Sequence, residues 1–281
     1  MSTLTLDAPV VVPPPAKPAL RLSFGGVLRS EWIKLRSVRS SALTLLGAAF
    51  AMLAAGLVFA STISDNGVGN GPGPRGGMTD PTAISLSGVT FAQLIIGVLG
   101  VLVVSNEYST GMIRSTLTGV PTRFPVLAAK VAVVIGSVFP TMLAVSLGAF
   151  FGGQAIMSGG TLPTAAIGDP GVLAAVVGSA AALTGVAVMG VALGSILRST
   201  AGAISTLFAL VFLAPGLGQL LLPTSWRDDV LKYLPSNASG SFTSVTPAAD
   251  ALGTTAGALV FAAWVVVPLV VAAVLLRRRD A

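Results

Sequence analysis

Glu107, Tyr108, Gly111, Arg114 and Arg123 fall in one polar stretch, residues 105–130, reading SNEYSTGMIRSTLTGVPTRFPVLAAK. Their chemistry is that of a contact with a partner or, for Glu107 and Arg114, of a solvated loop pair. A carboxylate and two cations on a short helix or turn can meet charged groups of a partner, and Lys130 adds a cation able to snorkel. Catalysis has little to work with. The chain contains no His and no Cys, which excludes thiol nucleophiles, His proton relays, Cys- or His-built zinc sites and haem held by either residue. Hydroxyls occur in the apolar segments without an acid or His beside them, so hydrolysis has no base there. No G-x-x-x-x-G-K-[ST] occurs, and ATP phosphates are not cradled by that route. No catalytic residue, metal site or cofactor bound by this chain is expected.

The elements that must position these residues are membrane helices. Six uncharged stretches, residues 42–63, 84–104, 131–151, 172–197, 201–222 and 255–276, each reach the roughly 20 residues a helix needs to cross the hydrocarbon core. An unpaired charge at mid-bilayer costs at least ~2.5 kcal/mol, which explains the exclusion of charge from all six. Mean hydropathy is +0.90. Only 9% of residues are charged, against about 25% in a soluble domain. The pI near 10.5 reflects cationic flanks rather than nucleic-acid binding, since no basic patch is interleaved with aromatics. The fold class is all-α polytopic: six transmembrane helices in a cell membrane.

Charge sets the expected orientation. Six spans put both termini on one side. With that side cytoplasmic, thirteen Lys and Arg lie inside, and only Arg75, Arg227 and Lys232 lie outside. The positive-inside rule therefore gives N-in, C-in. Residues 1–20 lack the cationic start and unbroken apolar core of a cleavable signal and carry five prolines; a disordered cytosolic tail is expected. A short basic tail, 277–281, closes the chain.

Residues 21–41 read as an amphipathic helix in the interface. Phe24, Val27, Leu28, Trp32, Leu35 and Val38 share one arc, Arg29 and Arg36 lie opposite, and Lys34 sits near a border. Gly25–Gly26 is expected to interrupt this helix. Glu31 falls inside the apolar arc, where it either pairs with Lys34 or reaches another subunit. In the 105–130 loop, Ser109 or Thr110 can cap a helix of about 111–118, Pro121 stops it, and Pro125 precedes the third span. Force on such a helix would tilt two spans at once.

The loops at 64–83 and 152–171 are Gly-rich and read as flexible tethers. Residues 223–254 differ, with a short interfacial helix expected at 225–234. Pro140, Pro215 and Pro268 should kink or break their helices, the fifth span most of all. Small residues at four-residue spacing (Gly47, Ala51 and Ala55; Gly148 and Gly152; Gly190 and Gly194) let helices approach closely, within one subunit or between two. Thr90, Gln93, Thr141 and Ser146 are polar groups available to line a substrate path. They suit weak steering of an amphiphilic or apolar substrate.

The run Glu107-Tyr108-Ser109-Thr110-Gly111-Met112-Ile113-Arg114, then Leu117, Pro121, Arg123 and Lys130, resembles the first cytoplasmic loop of type-2 ABC exporter permeases. Ser30-Glu31-Trp32-Ile33-Lys34-Leu35-Arg36-Ser37 and Leu197-Arg198-Ser199-Thr200-Ala201-Gly202-Ala203 look like the actinobacterial branch of that family. The resemblance covers roughly residues 28–279. It implies a permease dimer, of identical or related subunits, with one ABC ATPase docked on each half; ATP and Mg would be used by that partner. It makes residues 21–41 an elbow helix, carrying Glu31, Trp32, Lys34 and Arg36, and makes 107–118 the coupling helix. The rivals are an ion-coupled secondary carrier and a non-transporting sensor or scaffold. Proton coupling lacks an intramembrane carboxylate or His, whereas sodium held by backbone carbonyls at broken helices would still be available.

Overall fold

The computed structural model describes residues 23–66, 80–112, 124–160, 162–247 and 250–278. Among them, every regular element is helical. A first helix, α1 (Phe24–Ser37), precedes the long α2 (Arg39–Asn66). A short α3 (Pro81–Ser85) turns into α4 (Val89–Ser109). Then come α5 (Phe124–Ser158) and α6 (Val172–Leu197). The fifth span is composite: α7 (Thr200–Phe208), a π-helical turn Ala209–Leu213, and α8 (Ala214–Leu221). Short helices α9 (Thr224–Leu231) and α10 (Pro235–Thr243) lead to α11 (Thr254–Arg278). Six of these segments are long and apolar enough to cross a membrane.

α6 is the hub, packing on α4, α5, α7, α10 and α11. Its sequence is apolar all round and built from Ala, Gly and Val, which suits a helix surrounded by others. The tightest crossing is α4 on α6. A Cβ on Gly190 would lie 2.5 Å from the Gly97 carbonyl, and one on Gly100 would collide with the Ala187 backbone. Without side chains at these points the two backbones meet directly. Gly148 and Gly152 similarly admit Leu53 and Leu57 of α2. These two rows thus pack within the subunit. Gly47, by contrast, has nothing within 4 Å of a would-be Cβ.

Several expectations are corrected. Gly25–Gly26 does not interrupt α1: both sit in its first turn, where the Ser23 hydroxyl accepts from the Gly26 N–H at 3.1 Å. The helical stretch after the first loop is not one span from residue 84, because Leu86–Gly88 forms a turn between α3 and α4. α5 begins at Phe124 and runs to Ser158, well beyond 131–151, and passes unbroken through Pro140; α11 likewise passes through Pro268. Part of the expected 152–171 tether is ordered structure. There the Gln154 amide donates to the Pro81 carbonyl and the Ser85 hydroxyl, both at 3.1 Å, and its oxygen accepts from the Ala165 N–H at 2.8 Å.

The fifth span is irregular as its Pro suggests. Pro215 has no N–H for the carbonyl one turn earlier, and the helix widens into the π turn just before it. The Ser109 and Thr110 hydroxyls donate back to the Asn106 carbonyl, at 3.1 and 2.7 Å, and close α4; Met112 is helical again, and the rest of the expected 111–118 helix lies outside the described residues. Residues 113–123, with half of the expected coupling helix, lie outside the described residues, as do 1–22 and 67–79.

Candidate functional site

The only two glutamates of the chain, Glu31 and Glu107, meet Lys34 and Lys130 in a closed ring of four charges. Glu31 and Lys34 come from α1, Glu107 from the last turns of α4, and Lys130 from the second turn of α5. Lys130 Nζ lies 2.7 Å from Glu31 Oε2 and 2.8 Å from Glu107 Oε1. Lys34 Nζ lies 2.7 Å from Glu31 Oε1 and 2.9 Å from Glu107 Oε1. A third, longer hydrogen bond runs from Lys130 Nζ to the Val103 carbonyl at 3.4 Å. Two carboxylates and two ammoniums cancel, so the ring is neutral.

Three of the four members are buried: Glu31 at 4% exposure, Glu107 at 6% and Lys130 at 3%. Burying each ion costs several kcal/mol, and the mutual attraction does little more than repay it. The ring therefore fixes geometry more than it adds stability. It dictates where α1 sits against α4 and α5, and it breaks sharply if one member is lost. Glu107 Oε2 is buried and has no hydrogen-bond partner among the described residues. It borders a cavity of about 300 Å³ that Asn106, Thr110 and Met112 also line, at the root of the 113–123 segment.

Lys34 is half-buried. Burial disfavours its charge, but the carboxylates of Glu31 and Glu107 outweigh that and hold its pKa above the ordinary 10.5. A raised folded-state value means the pairing stabilises fully below 10.5 and is lost as pH rises through the higher value. Protection of the α1 amides, taken relative to their base-catalysed intrinsic exchange rate, should thus hold through neutral pH and fall only in strong alkali. Lys34→Arg, which keeps its charge, should move that fall to higher pH. Protection already lost at pH 8 would disprove the attachment.

Two cation–aromatic contacts extend the site. The Arg198 guanidinium stands 5.3 Å from the Tyr108 ring centre, tying the end of α4 to the turn between α6 and α7. Arg198 itself adopts φ 52°, the one positive-φ residue other than glycine among those described. Arg277 stands 5.6 Å from the ring of Phe124, tying the start of α5 to the end of α11. The end of α4 and the start of α5 are thereby tied to α1 and to three further helices.

The structure brings Glu31, Lys34, Glu107 and Tyr108 into this region. Gly111 lies just beyond α4 with φ 71°, a conformation in which Gly is the unstrained choice. Trp32 and Arg36 point away from the ring and line a groove of about 400 Å³ against α2 and α5, with Thr141. Arg114 and Arg123 lie outside the described residues. The four expected path residues do not form one site. Thr90 and Gln93 share a cavity with α10, Thr141 is in the groove beside Trp32, and Ser146 is fully buried with an unpartnered hydroxyl. Lys130 is the residue sequence reasoning undervalued, having been read as a snorkelling cation. The available signal was arithmetic: two glutamates flank apolar spans, and each needs a buried cation that Lys34 alone could not supply.

Comparison with known families matches residues 27–216 to one described as ABC-2 family transporter protein. The match begins on α1 and takes in the whole ring. No curated protein matches the chain.

Proposed function

Because the chain belongs to the ABC-2 family of transporter proteins, whose multi-pass permeases work with an ABC ATPase subunit, we propose that the four-charge ring carries the ATPase stroke into the membrane. The face bearing α1 and the end of α11 is cytoplasmic in this reading, and the ATPase docks on the 105–130 loop. A push there reaches α4 and α5 through the chain and α1 through the ring, so three helices move as one body. The functional unit is a dimer of permeases, identical or related, with two ATPase subunits that use ATP and Mg. The cargo is a small or amphiphilic molecule moved outward.

One observation carries this reading. Glu107, at the root of the docking loop, is bonded to both the elbow lysine and the α5 lysine, which no solvated loop carboxylate would need. The secondary-carrier alternative finds no buried carboxylate deeper in the spans among the described residues.

The test is made on the permease–ATPase complex in nanodiscs, with spin labels on α1 and α11. Nucleotide should change the label distance in the wild type. Glu107→Arg should leave ATP hydrolysis within about threefold and abolish the distance change; a loss of roughly 2 kcal/mol in coupling suffices for that. Unaltered movement in Glu107→Arg refutes the transmission role.

A further inference from the structure

On the face opposite the ring, two cavities adjoin. The first, about 440 Å³, lies among the start of α4, α6, the π turn and α10. Its lining is wholly uncharged and about half polar, with Ser87, Thr90, Gln93, Ser236 and Asn237 among its walls beside Leu86, Val89 and Phe212. Two of those hydroxyls, Ser87 Oγ and Ser236 Oγ, are buried with no hydrogen-bond partner among the described residues. A buried hydroxyl left unpaired is destabilising, and a bound polar group would relieve it.

The second cavity, about 300 Å³, is apolar and runs between α4, α6 and α7 past Leu94, Val98, Ile204 and Phe208. Gln93, Val211 and Phe212 border both cavities and form the seam. At that seam the backbone is π-helical, and the Phe208 and Phe212 rings stack at 5.6 Å.

We infer that the two cavities are one binding site for an amphiphile with a neutral, hydroxyl-bearing headgroup. The headgroup occupies the Ser87–Gln93–Ser236 chamber and the chain lies along Leu94 and Phe208. Three features select this class. Hydroxyls and amides both donate and accept, which matches a polyol. The absence of charge from the chamber walls leaves an anionic or cationic head without a counter-charge in a poorly solvated space. The adjoining trough is apolar and about 300 Å³ in volume, which suits an alkyl chain. The inference deepens the transporter reading by giving its cargo a chemical class, but binding itself requires neither ATP nor a partner.

The experiment measures equilibrium binding of radiolabelled dodecyl glucoside to the full chain in phosphatidylcholine nanodiscs. Saturable binding is expected, with dodecyl phosphate at least tenfold weaker and free glucose failing to compete at the same concentrations. Gln93→Leu should weaken dodecyl glucoside about fivefold to tenfold, the loss of one or two hydrogen bonds. Ser236→Ala should do so more mildly, and thermal stability should be kept in both variants. Equal binding of the phosphate, competition by free glucose alone, unchanged affinity in both variants, or occupancy by bulk phospholipid that the glucoside does not displace would each overturn the site. Intact binding with no ATP-driven movement of the glucoside would fault the transport reading and leave the site standing.

Discussion

Lys130→Met should destabilise the folded chain by about 3–5 kcal/mol, the cost of stranding buried charge after one partner is removed. Glu31 Oε2 then has no cation, and Glu107 Oε1 keeps only Lys34. Both carboxylates are buried too deeply for water to take over. The expected response is release of α1 from α4 and α5 ahead of global unfolding. It is read as early loss of amide protection in residues 24–37 and a lowered thermal midpoint in detergent. A second variant separates charge from volume. Lys130→Met combined with Glu31→Gln leaves the Lys34–Glu107 pair intact and should recover at least half of the loss, because neighbours in one network do not add. A single-variant stability within about 1 kcal/mol of wild type would sink the ring as an organising element.

Gly100→Val should be comparably severe for a different reason. A Cβ at residue 100 would occupy the space of the Ala187 backbone, which cannot swing aside as a side chain can. The α4–α6 crossing must then open. Overpacking of this kind costs up to about 3 kcal/mol and occasionally more. Gly136→Val on α5 is the control, since nothing lies within 4 Å of a Cβ built there. Thermal stability of Gly100→Val should fall far below wild type, whereas Gly136→Val should stay within about 0.5 kcal/mol. If both behave alike, the close approach of α4 and α6 is not what holds the bundle's centre.

Under the proposed function these effects converge, because they act on one helix. α4 carries Glu107 and Tyr108 at one end and Thr90 and Gln93 at the other, with the Gly97–Gly100 contact on α6 between them. In that reading a displacement at the ring would be delivered along a stiff helix to the opposite face. The π turn opposite Gln93 is the irregular point of the fifth span, and such turns occur often at functional sites.

Six apolar segments, the irregular fifth span and the polar loop after span two follow from composition alone, because lipid forbids unpaired charge and backbone polar groups outside helices. The amphipathic segment with Glu31 on its apolar arc was equally legible, and so was the possibility of a Glu31–Lys34 pair. What could not be read was which side of each helix faces protein. In a soluble bundle the buried stripe is apolar and the rest is polar, but here lipid-facing and buried surfaces are both apolar. Phe50 and Val58 are exposed while Met52 and Ala60 are buried on the same helix. The central place of α6, the ordered 162–171 stretch and the partnership of Lys130 with two carboxylates therefore belong to tertiary structure. Sequence confined the charges to the ends of helices, where they cost least. Only the packing of α1 across α4 and α5 decided that four of them would be withdrawn from water together, since residues 31, 107 and 130 share no local periodicity and meet solely because three helices converge.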